Sequence, residues 1–168
     1  MSKLPYFTPD NDLSLNVGLI ILILDKLGST SRGKLILNNE RLRAYLYLIK
    51  NPLILNKVLQ IFDYPAVRLE IYDEYSVASI SVNLDPLYDD HQLKSFLKVL
   101  AGYEFIDVKY KKNEGFVYTL SSKGKMIEKS IDDDYFHSVR KYIRAIEYLS
   151  NVSTSNLNAA IEKRGNYE

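Results

Sequence analysis

Two histidines, a glycine-flanked loop and a lysine-rich segment are the residues of this 168-residue chain most able to do chemistry. His91 follows Asp89-Asp90, and His137 follows Asp132-Asp133-Asp134. Asp133 and His137 are i, i+4 and share a helical face. A metal site needs three or four converging ligands, and no such spaced set is present. Carboxylates just ahead of a helix are explained by N-capping and by the helix dipole. No serine lies in a nucleophile-elbow context. The chain has no Cys, which excludes disulfides, thiolate catalysis and Cys-ligated zinc. The expectation is a protein with no catalytic residues, no metal and no cofactor.

The loop Gly28-Ser-Thr-Ser-Arg-Gly-Lys34 looks like a phosphate cradle. However, Leu35 stands where a magnesium-holding hydroxyl belongs, and no Rossmann-type strand precedes it. It reads as a surface loop closing a helix.

The basic segment is the strongest functional signal. Lys109, Lys111, Lys112, Lys123, Lys125 and Lys129 face only Glu114 and Glu128, a net +4 in a chain whose total is +1. The whole molecule therefore has no strong field for nucleic acid, and any affinity must be local. Lysines on an exposed hairpin suit phosphate contact, which is salt-dependent and sequence-independent. They are also the usual guards of a strand edge. Lys109, Lys111, Lys112, Lys123 and Lys125 are the candidate DNA contacts. Arg140, Lys141 and Arg144 form a second basic face, equally readable as solvated helix surface.

These residues need elements to hold them. Apolar periodicity predicts helices over about 13–27, from Asn38 or Asn39 through a stripe of Leu42, Tyr45, Leu46 and Ile49, and from Asn51-Pro52 through Leu55, Val58, Leu59 and Phe62. Residues 76–83 fit a strand or a short helix. A helix over 90–101 carries Leu93, Phe96, Leu97 and Leu100. Phe105–Tyr110 and Phe116–Leu120 read as two strands joined by Lys-Lys-Asn-Glu-Gly. Ser121 or Ser122 caps a helix to Ile131. Asp132–Asp134 caps another, with Phe136, Val139, Ile143 and Ile146 inward. A last short helix starts near Thr154, before a frayed tail.

The run Val17–Leu24 is far shorter than the roughly 20 apolar residues of a membrane span. It reads as a helix buried on most sides or docked on a partner. The N-terminus does not read as a signal peptide, and a cytoplasmic location is expected. Apolar and aromatic residues on several faces of the first two helices mark Leu19, Leu22, Ile23, Tyr45, Tyr47 and Leu48 as candidate partner contacts.

The fold class expected is α+β and mostly helical: a winged helix-turn-helix domain over 66–150 behind an N-terminal helical extension over 1–65. Residues 151–168 form a short helix and tail. The helix at 90–101 takes the recognition position, and Lys111–Gly115 is the wing tip. That helix exposes Lys94 and Lys98 but lacks the Arg, Asn and Gln cluster that reads base edges.

Helix 13–27, the segment GKLILNNERLRAYLYLIKNPLILNKVL (33–59), the turn LDPLYDD (84–90) and a second half closing on YTLSSKGK complete a familiar order. Over about residues 10–131 the chain resembles the middle component of bacterial ABC-three-component systems, which includes the small subunit of Lamassu-type anti-phage complexes. The resemblance implies a non-catalytic subunit that docks on an SMC-like ATPase and on an effector, often a nuclease, and helps hold the effector inactive. The competing reading is a stand-alone winged-helix transcription regulator.

Overall fold

A computed structural model describes residues 12–30, 32–74 and 82–165. Most of segment 76–83, the first residues and the last three lie outside the described residues.

Nine α-helices, one 3-10 turn and one hairpin make up the described residues: α1 (Leu13–Leu27), α2 (Asn39–Lys50), α3 (Pro52–Ile61), α4 (Ile71–Glu74), α5 (Asp85–Tyr88), α6 (Asp90–Gly102), β1 (Ile106–Lys111), β2 (Gly115–Leu120), α7 (Ser122–Ser130), α8 (Asp134–Ile146), a 3-10 turn (Glu147–Asn151) and α9 (Thr154–Gly165). The fold is α+β, mostly helical, with a two-stranded antiparallel sheet.

Side-chain caps start five of these helices, each accepting a backbone N–H and so satisfying a donor the helix leaves orphaned. Asp12 accepts from Leu15, Asn38 from Arg41, Asp89 from Gln92, Ser121 from Gly124 and Asp133 from Phe136, all at 2.8–3.0 Å. Asn51 differs from the expectation. It makes no capping bond for α3, and its side-chain amide instead donates to the Tyr47 carbonyl at 2.8 Å, closing α2.

α1 is apolar all round because it is buried all round. It packs against α2, α6, α7, α8 and β2. Its approach to α8 is close enough that a Cβ on Gly18 would sit 3.0 Å from the Phe136 ring. α2 is equally enclosed, with every residue from Leu42 to Ile49 buried except Arg43. One hydrophobic cluster runs from Leu19 to Ile161, so the N-terminal helices share their core with the hairpin and the last helix.

The hairpin pairs Ile106 with Leu120 and Lys111 with Gly115. Gly115 has φ +74°, the left-handed conformation that lets the turn close. β2 is also joined from its other side: the Tyr118 N–H donates to the Leu37 carbonyl at 3.0 Å, beside an antiparallel bridge between Asn38 and Val117. α7 then docks on the hairpin's base through Gly124, where a Cβ would meet the Phe105 carbonyl oxygen at 2.0 Å. Gly124 is thus a packing requirement.

A candidate nucleic-acid and partner interface

The lysines of the basic segment are not equivalent. Lys109 and Lys112 are exposed, and neither ammonium makes an ion pair or hydrogen bond among the described residues. Lys111 is drawn inward: its ammonium donates to the Leu35 carbonyl at 2.6 Å and lies 3.4 Å from Glu114. Lys123 sits 3.7 Å from Glu104 and over the Phe105 ring at 5.5 Å. Lys125 is exposed on α7 and offsets the Asp25 carboxyl, which burial above all holds above its usual range. The structure therefore brings Lys109, Lys111 and Lys112 together on the hairpin, with Lys123 and Lys125 on the helix behind it.

The hairpin also carries aromatic residues that charge counting did not single out. Tyr110 and Phe116 are a cross-strand pair, both more than half exposed, with ring centroids 5.4 Å apart in an edge-on arrangement. Val108 is exposed beside them. An aromatic at each strand end, next to the turn, was the signal available in sequence.

The helix in front of the hairpin, α6, exposes His91, Lys94, Ser95 and Lys98. Lys94 lies 3.7 Å from Asp90, and Arg43 of α2 is ion-paired to the same carboxylate. An acidic N-terminus held in this way disfavours a base-reading role.

The second basic face is mostly paired within the chain. Arg140 is ion-paired to Glu128 and donates to the Ile131 carbonyl at 3.1 Å. Lys141 lies 2.5 Å from Glu70. Arg144 alone stays exposed, in an open groove with Lys26, Glu147, Asn151 and the stacked rings of Tyr64 and Tyr148.

The six apolar partner candidates occupy the interior. Leu19, Leu22, Ile23, Tyr45, Tyr47 and Leu48 are at most 3% exposed. Removing Leu19–Leu24 from the core would cost on the order of 10 kcal/mol at roughly 1.5–3 kcal/mol per side chain. That is comparable with the whole stability of a domain. In the folded chain these residues build the core, and any partner surface must lie elsewhere.

The remaining candidates have local explanations. The described part of the Gly28–Lys34 loop spends its amides internally: Thr30 N–H donates to the Lys34 carbonyl and Gly33 N–H to the Thr30 carbonyl. His137 lies 3.1 Å from Asp132, both exposed, while Asp133 is the α8 cap. Among the described residues no group of three or more His, Cys, Asp or Glu is arranged to hold a metal. No helix among them is long and apolar enough to cross a membrane.

Comparison with known proteins places the chain in a family. A family model described as ABC-three component (ABC-3C) system Middle Component 4 matches residues 27–159. The chain belongs to this family. The match spans α2 through the first half of α9, hairpin included. A middle component is one part of a multi-subunit system, so other subunits are its partners. No curated protein and no solved structure matches the chain.

Proposed function

We propose that this middle component is a non-catalytic winged-helix adaptor in a bacterial anti-phage defence complex. It links an SMC-like ATPase to an effector subunit of nuclease type, and its hairpin contacts DNA without sequence preference. The family membership carries this reading. The winged assignment draws support from the connection between Leu37 and Tyr118, which lays an extended segment from between α1 and α2 against β2. With α1, α2, α6 and the hairpin, that segment follows the order of a winged helix-turn-helix, and α3 to α5 then form an insertion ahead of the recognition position. Exposed Lys109 and Lys112 support a phosphate contact, and the acidic start of α6 argues against base readout.

Co-expression with the products of the neighbouring genes, followed by size exclusion, tests the adaptor role. Co-elution with an ATPase and an effector is expected. A chain that elutes without either would sink it. The stand-alone regulator reading rests on the same free lysines. It requires a gel shift that prefers the chain's own promoter over unrelated duplex.

A further inference from the structure

The hairpin has one edge already taken and one open. Two backbone bonds fix which residues face the open side. Tyr118 sends its N–H away from β1 to Leu37, and Ser121 sends its N–H to the Phe105 carbonyl across the ladder. In an antiparallel pair, bonded and non-bonded positions alternate. With Tyr118 opposite Val108, the residues whose N–H and C=O point outward from β1 are Ile106, Val108 and Tyr110. None of these three bonds to another backbone group on that side among the described residues. Asp107, Val108, Lys109 and Tyr110 are all exposed. An open edge of this kind is a template for another strand.

The charges on the edge choose the occupant. Asp107 and Lys109 flank Val108 on one face of the strand. In an antiparallel pairing of two copies centred on Val108, Val108 meets Val108 and exchanges both backbone bonds. Ile106, itself only 6% exposed, and Tyr110 lie opposite each other at the two ends of the contact, so Val108 and Tyr110 carry its exposed part. Asp107 of each copy then lies directly opposite Lys109 of the other, at the closely spaced non-bonded positions. Directly opposed opposite charges stabilise a sheet, and like charges destabilise it. Other registers lose this. Centring on Asp107 opposes two aspartates, and centring on Tyr110 sets Lys109 against Lys111. Centring on Lys109 opposes two lysines and leaves Asp107 only Lys111, whose ammonium is already held by the Leu35 carbonyl and Glu114. A shift by one residue turns Val108 to the charged face.

The geometry points to a second copy of this chain as the occupant of the β1 edge, in an antiparallel two-fold dimer centred on Val108. The two hairpins become one four-stranded sheet, extended on each flank by the Leu37–Asn38 segment. Val108, Tyr110 and Phe116 of each copy are partly covered, and the two Asp107–Lys109 pairs set the register. A two-fold contact of this kind is self-complementary, as closed dimers require. The surface involved is small, so association is concentration-dependent.

Sedimentation equilibrium of the pure full-length chain, up to roughly 1 mM monomer, tests this without any other subunit. The wild type shows a monomer–dimer equilibrium. Asp107→Lys and Lys109→Glu each weaken it on the order of tenfold, because each places two like-charged pairs across the seam. An equimolar mixture of those two variants regains a dimer, since every cross-strand pair is again opposite in sign. Val108→Pro removes an outward N–H but no bond to β2, and it abolishes the dimer while far-UV circular dichroism stays unchanged. A wild type that remains monomeric at the highest concentration overturns the proposal. So does a dimer indifferent to the single charge changes, or a mixture no tighter than its components.

Discussion

The ammonium of Lys111 donates to the carbonyl of Leu35 at 2.6 Å, tying the tip of the hairpin to the loop that follows α1. The most central lysine of the basic turn is therefore a strut, and its neighbours Lys109 and Lys112 are the free cations.

This split separates two kinds of variant. Lys109→Glu with Lys112→Glu should weaken binding to unrelated duplex DNA at low protein concentration. The slope of log affinity against log salt should fall by roughly 0.9 for each lost phosphate contact. Lys111→Met should leave that slope unchanged and lower stability by about 1 kcal/mol in urea denaturation. An equal salt effect from all three lysines would contradict the assignment.

Arg41 is the buried charge of this core. Its guanidinium donates to the Tyr45 hydroxyl at 2.9 Å and to the carbonyls of Leu149 and Ser150 at 2.9 and 3.0 Å. It binds the start of α2 to the turn that leads into α9. Arg41→Met keeps the length but leaves two carbonyls without donors. A loss of about 2–4 kcal/mol is expected, read as a lower denaturation midpoint. Arg41→Lys should recover only part of it, because one ammonium cannot span the fork.

Glu104 follows α6 with φ +62°, a left-handed conformation that glycine adopts without penalty. Its side chain is mostly exposed, and its ion pair to Lys123 is worth little. Glu104→Gly should therefore raise stability by about 0.5–1 kcal/mol despite the lost ion pair. A lower melting temperature would contradict this.

The Tyr47 hydroxyl is buried with no hydrogen-bond partner among the described residues. Burial above all pushes its pKa from 10.0 up to about 12. The folded state thus favours the neutral phenol. The associated stability is complete below pH 10 and is lost as pH rises towards 12. Tyr47→Phe should be neutral or stabilising at pH 7, by up to about 1 kcal/mol, since it removes an unpaired polar group. It should also reduce the loss of stability across that alkaline window, measured by urea unfolding at stepped pH.

Local signals in the sequence located most elements. Asn38, Asp89, Ser121 and Asp133 are caps where capping chemistry placed them, and the stripes of α2, α3, α6 and α8 are buried except for Phe62 and Phe136, which are half-buried. The hairpin strands fell within one residue of Ile106–Lys111 and Gly115–Leu120. Long-range geometry was not legible. Nothing local shows that α1 is enclosed by α6, α7 and α8, so its excess of apolar surface read equally as core or interface. Lys111, Arg140 and Lys141 carry the same charge in sequence as Lys109. Only the fold sets Leu35, Glu128 and Glu70 against them. Nothing local marks Arg41 as a buried charge, because its two carbonyl acceptors, Leu149 and Ser150, lie more than a hundred residues away.

The central claim is that this middle component joins an ATPase to an effector. Native mass spectrometry of the tagged chain, purified after expression with its genomic neighbours, tests it most directly. A stoichiometric assembly in which the chain is bound to both proteins is expected, with loss of the effector from the ATPase when the chain is omitted. Recovery of the chain alone or only with itself, or an ATPase–effector complex that forms without it, would rule the adaptor role out.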